Sequence, residues 1–222
     1  MLFRSEAGLS RATARRILRT LSGLGYMEQS GRQFFLSPSV LNLGFAYLAT
    51  QSWIERAQPL MKELSERFQE TCSAAVLQGA EVVYVSDFPA RRIMSITAAL
   101  GARLPAFHSS LGRIQLGVLD EAEIWRRLRS VRIEAYTPMT ILDLQALVER
   151  VRDDTAQGFS IVDEELEKGL RSIAVPLVSR SGQTVAAIAL ATHTSRTTRN
   201  EMRDHFLPAL QAAARQISPA IP

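Results

Sequence analysis

The chain of 222 residues is 46% hydrophobic and 22% charged, which is ordinary for a globular protein of one or two domains. Its one cysteine, Cys72, excludes a disulfide framework and a multi-cysteine metal site, and it fits a reducing compartment. No stretch approaches the roughly 20 apolar residues of a membrane span, and the opening MLFRSEAG lacks the apolar core of a signal peptide. We therefore expect a cytoplasmic protein that makes no membrane contact.

Positive charge is concentrated at the amino-terminal end. Up to Phe35 the chain carries six arginines against two glutamates, whereas the remainder carries 20 basic and 20 acidic residues. The whole net charge of +4 therefore belongs to the first sixth of the chain. This asymmetry predicts a polyanionic partner for that end and a different role for the rest.

The basic end is predicted to form an amphipathic helix followed by a β-hairpin. Ser10 is the predicted N-cap, and a pair of glycines at 23 and 25 marks the end. Two short strands follow, at 26–29 and 32–36, around the Ser30-Gly31 turn. Apolar residues fall on one arc of the helical wheel, namely Ala14, Ile17, Leu18, Leu21 and Leu24.

A helix followed by a hairpin with a basic strand is typical of a winged helix-turn-helix. The alternative is a solvated arginine face on a surface helix. Ala12 and Thr13 stand among the arginines and let a helix approach a DNA groove closely, which favours DNA binding together with the local charge. The candidate DNA-contacting residues are Ser10, Arg11, Ala12, Thr13, Arg15, Arg16, Arg19 and Arg32.

The rest of the sequence predicts an α+β domain. A linker helix is predicted from Val40 to Gln51, with its apolar residues in a dimer or interdomain contact. A second helix is predicted from Ser52 to Phe68, with a kink or a restart at Pro59. Six strands are predicted at 72–78, 81–87, 92–100, 159–165, 170–178 and 184–192. Further helices are predicted at 109–119, 120–129, 140–158 with Thr140 as N-cap, and 200–217.

Catalytic ingredients are sparse. The triad-like segments are His108-Ser109-Ser110 and Asp163-Glu164-Glu165, and no GxSxG elbow, phosphate loop or HxxxH pair accompanies them. Three histidines with one cysteine give no metal-ligand spacing. The acidic run is more simply a strand end that pairs with Arg171. We therefore expect no enzyme, no catalytic residue, no metal and no cofactor.

A small-molecule site is better supported by the segment LPAFHSSLGR. It brings Ser109, Ser110 and Leu111 to the start of a helix, whose free N–H groups and positive dipole end suit a small carboxylate. His108 beside them could add a donor or, when protonated, a charge. Simple N-capping by serine needs no ligand, and the residues alone leave both interpretations open.

The segment GLSRATARRILRTLSGLGYMEQSGRQFFLSPSVLNLGFAYL resembles the DNA-binding half of IclR-family bacterial transcriptional regulators. It is closest to the branch that governs protocatechuate, 4-hydroxybenzoate and β-ketoadipate catabolism, and EVVYVSDFPARRIMSI and ARLPAFHSSLGR continue the resemblance. It implies a winged helix-turn-helix at 1–38, a linker helix at 39–52 and a GAF-like effector-binding domain at 53–222. Family members have a first helix before GLSRAT, so we expect an incomplete helix-turn-helix, from a truncation or a misassigned start.

Carried over residue by residue, the resemblance implies an effector site. With His108 and Ser109, its residues are Ile93, Ile96, Leu104, Ser110, Leu111, Val162, Ser172, Ala189 and Ala191. Ala189 and Ala191 stand where some relatives have hydroxyl side chains, and Val162 stands where some have aspartate. The pocket is therefore expected to be more apolar and to suit a ring-bearing acid.

The sequence therefore predicts a regulator that binds double-stranded operator DNA as a homodimer or dimer of dimers. Its effector is expected to be a small carboxylate, either an aromatic acid or a β-ketoadipate-type catabolite. One alternative is a regulator that responds to a sugar acid or a glyoxylate-like metabolite. The other is a stand-alone small-molecule-binding domain with a vestigial DNA-binding half.

Overall fold

The chain divides into two units, Met1–Gln51 and Ser52–Pro222. The computed structural model describes residues 8–92 and 99–221. The division into a DNA-binding domain, a linker helix and an effector domain stays a prediction. No helix among the described residues is long and apolar enough to cross a membrane.

The first unit contains the predicted helix and hairpin. Helix α1 (Arg11–Gly23) begins after Ser10, whose hydroxyl accepts from the N–H of Thr13 at 3.2 Å, so the predicted N-cap is confirmed. Strands β1 (Met27–Ser30) and β2 (Gln33–Leu36) pair antiparallel. Helix α2 follows at Val40–Thr50.

The apolar arc predicted for α1 is correct except at its end. Ala14 is buried, and Ile17, Leu18 and Leu21 are half-buried. Leu24 lies just beyond the helix and is 64% exposed, because the chain turns away after Gly23. The hairpin is tied back to this turn by the hydroxyl of Ser37, which donates to the carbonyl of Gly25.

The second unit is built on an antiparallel sheet, with six strands among the described residues, which confirms the predicted α+β class. The strands are β3 (Thr71–Gln78), β4 (Glu81–Phe88), β5 (Arg103–Pro105), β6 (Ser160–Asp163), β7 (Leu170–Val178) and β8 (Thr184–His193). Their order across the sheet is β5-β4-β3-β8-β7-β6. The strand predicted at 92–100 lies mostly outside the described residues, and the edge strand of the structure is the three-residue β5.

Helices cover the sheet and close the unit. Their bounds are α3 (Ser52–Phe68), α4 (Ser110–Leu116), α5 (Glu121–Arg129), α6 (Leu144–Ala156), α7 (Arg199–Glu201) and α8 (Leu207–Ile217), with a π-helical turn at Met202–Phe206. Helix α3 runs through Pro59 as one helix, so the predicted restart is wrong. The predicted N-cap Thr140 is wrong: Asp143 caps α6 by accepting from the N–H of Ala146 at 2.7 Å.

The short helix α4 lies at the centre of the core of this unit. Each of its seven residues is buried. Leu111 and Ile114 belong to the same apolar cluster as Ala174 and Ala189 of strands β7 and β8. Gly112 permits this packing, because a Cβ there would lie 2.2 Å from the carbonyl oxygen of Ala106. The helix is therefore fixed against one face of the sheet.

Candidate functional site

The arginines of the first unit are exposed and unpaired. Arg11, Arg15, Arg16, Arg19 and Arg32 are all exposed, and none forms an ion pair with a residue that the structure describes. In the second unit some arginines are paired with carboxylates, at positions 91, 103, 113, 126, 127, 152, 171 and 196, and others have no such pair among the described residues. Unpaired guanidinium groups remain available for an external polyanion.

The arginines of α1 line a shallow groove together with small side chains. Ala12 and Thr20 line this groove together with Arg15, Arg16 and Arg19. Small side chains keep the helix backbone close to any bound surface, while the arginines reach outward to phosphates. Ser10 and Thr13 are partly engaged, since their hydroxyl oxygens lie 2.9 Å apart in the cap of the helix.

Four of the predicted effector-site residues lie on one face of the sheet. Val162 pairs directly with Ser172, and Ser172 pairs with Ala191, across β6, β7 and β8. Side chains directly opposite each other in antiparallel strands point to the same face of the sheet, and so do side chains two residues apart in one strand. Ala189, two residues before Ala191 in β8, therefore lies on this face as well. The same pairing places Ser73, bonded to Asp87, beside Ala189, so this face carries polar as well as small apolar side chains.

Helix α4 is joined to this face by a pair of serines. The hydroxyl oxygens of Ser110 and Ser172 lie 2.8 Å apart. Ser109 caps the helix, because its hydroxyl accepts from the N–H of Gly112 at 3.0 Å. This N–H is thus satisfied within the chain, which favours the interpretation that Ser109 is a simple N-cap. Leu111, the next residue of α4, is buried in the core. The loop and the strands predicted to form the site therefore do meet, at Ser110.

The remaining predicted site residues fall in three places. Leu104 is half-buried in the edge strand β5 and packs against the core cluster. Ile93 and Ile96 lie outside the described residues. His108 is only 1% exposed, at the end of the 3₁₀ turn that precedes α4.

Sequence reasoning missed a buried ionic cluster beside this helix. Arg113 is fully buried, donates through Nε to the carbonyl of Phe107 at 2.7 Å and pairs with Glu165. Nδ1 of His108 lies 3.4 Å from Oε2 of the same glutamate. Burial alone would raise the pKa of Glu165, but the hydrogen bond from His108 and the charge of Arg113 outweigh it and hold the pKa below its usual value. Glu165 is thus ionised at neutral pH.

A polar loop holds the corner that carries this glutamate. Thr137 donates to the carbonyl of Glu164 at 2.5 Å, and Thr140 donates to that of Glu165 at 2.7 Å. Glu164 has a φ of 58°, which is uncommon for a residue other than glycine. The ring of Tyr136 meets that of His108 edge-on at 5.9 Å between centroids. The hydroxyl of Thr140 thus fixes a distant strand end.

The triad-like segments do not assemble into a catalytic relay. Ser110 bonds Ser172, Ser109 caps α4, and Nε2 of His108 has no hydrogen-bond partner among the described residues. The predicted strand-end pair is confirmed, since Arg171 binds both carboxylate oxygens of Asp163 at 2.8 and 2.9 Å. Within the described ranges no group of three His, Cys, Asp or Glu side chains is placed to hold a metal ion.

Comparison with known proteins gives one family for this chain. Residues 45–219 match the family described as bacterial transcriptional regulator IclR, C-terminal. The Pca regulon regulatory protein of Pseudomonas putida is 40% identical over 210 residues, which are 94% of this chain and 72% of that protein.

Two solved structures extend the comparison. A protein described as a transcriptional regulator, from Rhodococcus sp. RHA1, superposes with a TM-score of 0.81 at 38% identity, over 98% of this chain and 87% of that one. The inducer-binding domain of the Acinetobacter transcription factor PobR, a double mutant in complex with 3-hydroxybenzoic acid, superposes with a TM-score of 0.70 at 30% identity. That match covers 74% of this chain and 97% of the other.

Proposed function

Because this chain belongs to the IclR family of bacterial transcriptional regulators, we propose that it regulates genes for the breakdown of aromatic acids. The matched family and the relatives named above are regulators, which confirms the prediction that the chain is not an enzyme. The finer statements, on the DNA-binding fold, the effector and the assembly, are proposals.

We assign DNA binding to the first unit. Helix α1 with the β1–β2 hairpin is the recognition helix and wing of a winged helix-turn-helix, and α2 is the linker to a GAF-like effector domain. The observation that supports this is the cluster of exposed arginines on one short helix, none of which forms an ion pair with a described residue and three of which line one groove. Helix α1 enters the major groove, with Ala12 and Thr13 nearest the bases and the arginines on phosphates.

We assign effector binding to the sheet face beneath α4. The observation that carries this is the convergence of Val162, Ser172 and Ala191 under Ser110. The serine pair leaves one hydroxyl hydrogen for a carboxylate, because the other is used between the two serines, and the alanines leave apolar space for a ring. An aromatic acid fits this combination, and the PobR domain with its 3-hydroxybenzoic acid supports the choice.

A thermal-shift screen with benzoate, hydroxybenzoates, protocatechuate and β-ketoadipate tests this assignment. A ligand present at 100 times its Kd should stabilise the chain by about 2.7 kcal/mol. Replacing the half-buried Ala191 by leucine should abolish that shift, because the larger side chain fills the space above the sheet, at a cost to the apo fold of about 1–3 kcal/mol. The matched control is Ala122→Leu on the exposed surface of α5, which should respond like the parent. An Ala191→Leu variant with an unchanged ligand shift would place the site elsewhere.

We propose that α2 mediates assembly into a homodimer or dimer of dimers. None of its residues is buried, and Leu41, Leu43 and Phe45 are each more than half exposed. A helix this apolar and exposed is an interaction surface. Light scattering should therefore give a dimer or tetramer at micromolar concentration, and Phe45→Glu should shift it toward the monomer. A clean monomer of the parent chain would contradict the proposal.

A further inference from the structure

His108 carries a buried hydrogen-bonding atom that no protein group satisfies. Its ring is 1% exposed, and among the described residues Nε2 is the buried side-chain nitrogen or oxygen without a partner. Such an atom is costly to leave unpaired in a folded protein. The other ring nitrogen is accounted for, since Nδ1 faces Oε2 of Glu165 at 3.4 Å.

The charges around His108 determine what Nε2 offers. Glu165 is ionised, and Arg113 on α4 already neutralises it through their ion pair. Of the two neutral tautomers of the ring, the one with its proton on Nδ1 can donate to this carboxylate. In that tautomer Nε2 carries a lone pair and accepts a hydrogen bond.

The position of His108 connects this acceptor with the proposed effector site. The residue ends the 3₁₀ turn Ala106–His108, and two residues later Ser110 contacts Ser172 on the sheet face. The serine pair leaves one hydroxyl hydrogen to donate, whereas Nε2 offers an acceptor. A ligand that complements both has a carboxylate at one point and a hydrogen-bond donor at another.

We propose that Nε2 of His108 accepts a hydrogen bond from a hydroxyl group of the effector, so that this histidine selects hydroxylated acids over acids that lack the hydroxyl. The inference rests on the proposed function, since it presumes that the acid binds beneath α4. It adds a specificity-determining residue and a chemical class, a carboxylic acid with a hydroxyl donor.

Two other occupants would satisfy the same atom. A buried water could donate to Nε2 without any role in recognition. A proton on Nε2 would instead turn it into a donor for the carboxylate of the ligand. Each alternative predicts a different result in the following experiment.

Two histidine variants separate the ring nitrogens. His108→Asn keeps an amide group near the position of Nδ1 and loses the group at Nε2, whereas His108→Gln extends an amide to the position of Nε2 and gives up the contact with Glu165. If the residue only supports Glu165, the asparagine variant should resemble the parent and the glutamine variant should be impaired. If Nε2 recognises the ligand, that order should reverse for the hydroxylated ligands.

The binding probes are matched pairs that differ in donor ability. Calorimetry compares 4-hydroxybenzoate with 4-fluorobenzoate, and 3-hydroxybenzoate with 3-fluorobenzoate, because fluorine is small and cannot donate. The parent chain should bind one of the hydroxylated acids about tenfold more tightly than the matching fluorinated acid, because one buried hydrogen bond contributes about that factor to affinity. The ratio should fall to about one in His108→Asn and recover in part in His108→Gln.

The same probes distinguish the acceptor from its two alternatives. If a water occupies Nε2, both members of each pair should bind alike and His108→Asn should bind them as the parent does. If Nε2 donates to the carboxylate, both members should again bind alike, but His108→Asn should weaken both by the same factor. Either result would overturn the proposal.

The outcomes separate this inference from the function on which it rests. Binding of the hydroxylated and fluorinated acids with a ratio of one on the parent overturns the role of His108 as an acceptor and leaves effector binding intact. No binding of any of the four acids overturns the aromatic effector and this inference with it. A loss of the hydroxyl preference in His108→Asn, with Ala191→Leu blocking all four acids, supports both.

Discussion

Removing two arginines from the exposed face of α1 should flatten the salt dependence of DNA binding. Each neutralised phosphate contributes about −0.9 to the slope of log affinity against log salt, so Arg15→Ala with Arg19→Ala should reduce the slope by about 1.8. The fall in affinity between 50 and 200 mM salt would then be about twelvefold smaller than for the parent. Fluorescence anisotropy on a duplex enriched by the chain from a random pool measures this.

The second unit provides a control with the same change in net charge. Arg91 and Arg152 are exposed and paired with Glu66 and Glu121. The double variant Arg91→Ala with Arg152→Ala should keep the slope of the parent, because these arginines do not face DNA in the proposed function. An unchanged slope in the α1 variant would leave the arginine face without a role in binding. If the slope falls by a similar amount in both double variants, the effect is explained by the change in net charge.

Replacing Arg113 by methionine should destabilise the second unit strongly. The arginine is fully buried and pairs with Glu165, so its loss leaves an uncompensated buried carboxylate. Removing one partner of such a pair costs about 3–5 kcal/mol, which corresponds to a fall in Tm of roughly 6–20 °C for a unit of this size. Calorimetry on the parent and the variant at pH 7 checks the value.

Two further variants locate the cause of that loss. Arg152→Met breaks an exposed pair and should change stability by about 1 kcal/mol or less. Arg113→Met combined with Glu165→Met should recover part of the stability, because no buried charge is left unpaired. If the double variant is as unstable as the sum of the two single variants, packing rather than charge explains the effect.

The same pair gives the stability of the unit a pH dependence with a defined sign. The pKa of Glu165 in the folded chain lies below its ordinary value, so its ionised form stabilises the fold. This contribution is complete above the ordinary glutamate range near about pH 4.3 and is lost as the pH falls through the folded pKa. The difference between the parent and Arg113→Met should therefore be largest where Glu165 is ionised in both proteins and narrow as the pH falls and the carboxyl is protonated.

Local sequence patterns determined most helices and strands of this protein. The apolar spacing that begins after Ser10 and the Ser30-Gly31 turn predicted α1 and the hairpin, and the alternating apolar runs predicted five of the six strands. These features depend on residues that are neighbours along the chain, where helical and extended periodicity can be read directly. The charge asymmetry between the two ends is likewise a property of the sequence alone.

Other features depended on contacts that no local pattern describes. The three-residue strand β5 forms because β4 offers it an edge, and its own residues carry no alternation. The start of α6 moved from Thr140 to Asp143 because the threonine hydroxyl bonds the backbone of Glu165. At both positions a contact with a distant part of the chain, and not the preference of the local residues, determined the structure.

For the candidate site, the sequence determined which residue types are present and the tertiary structure decided which of them meet. The segment around His108 and Ser110 could be recognised as a helix start, and the small residues of β7 and β8 as a strand face. The pairing of Arg113 with Glu165, 52 residues apart, could not be predicted, because an arginine in a short apolar helix gives no sign of the carboxylate that will neutralise it. A buried charge is tolerated only where the fold brings it a partner, and that partner is a property of the assembled core.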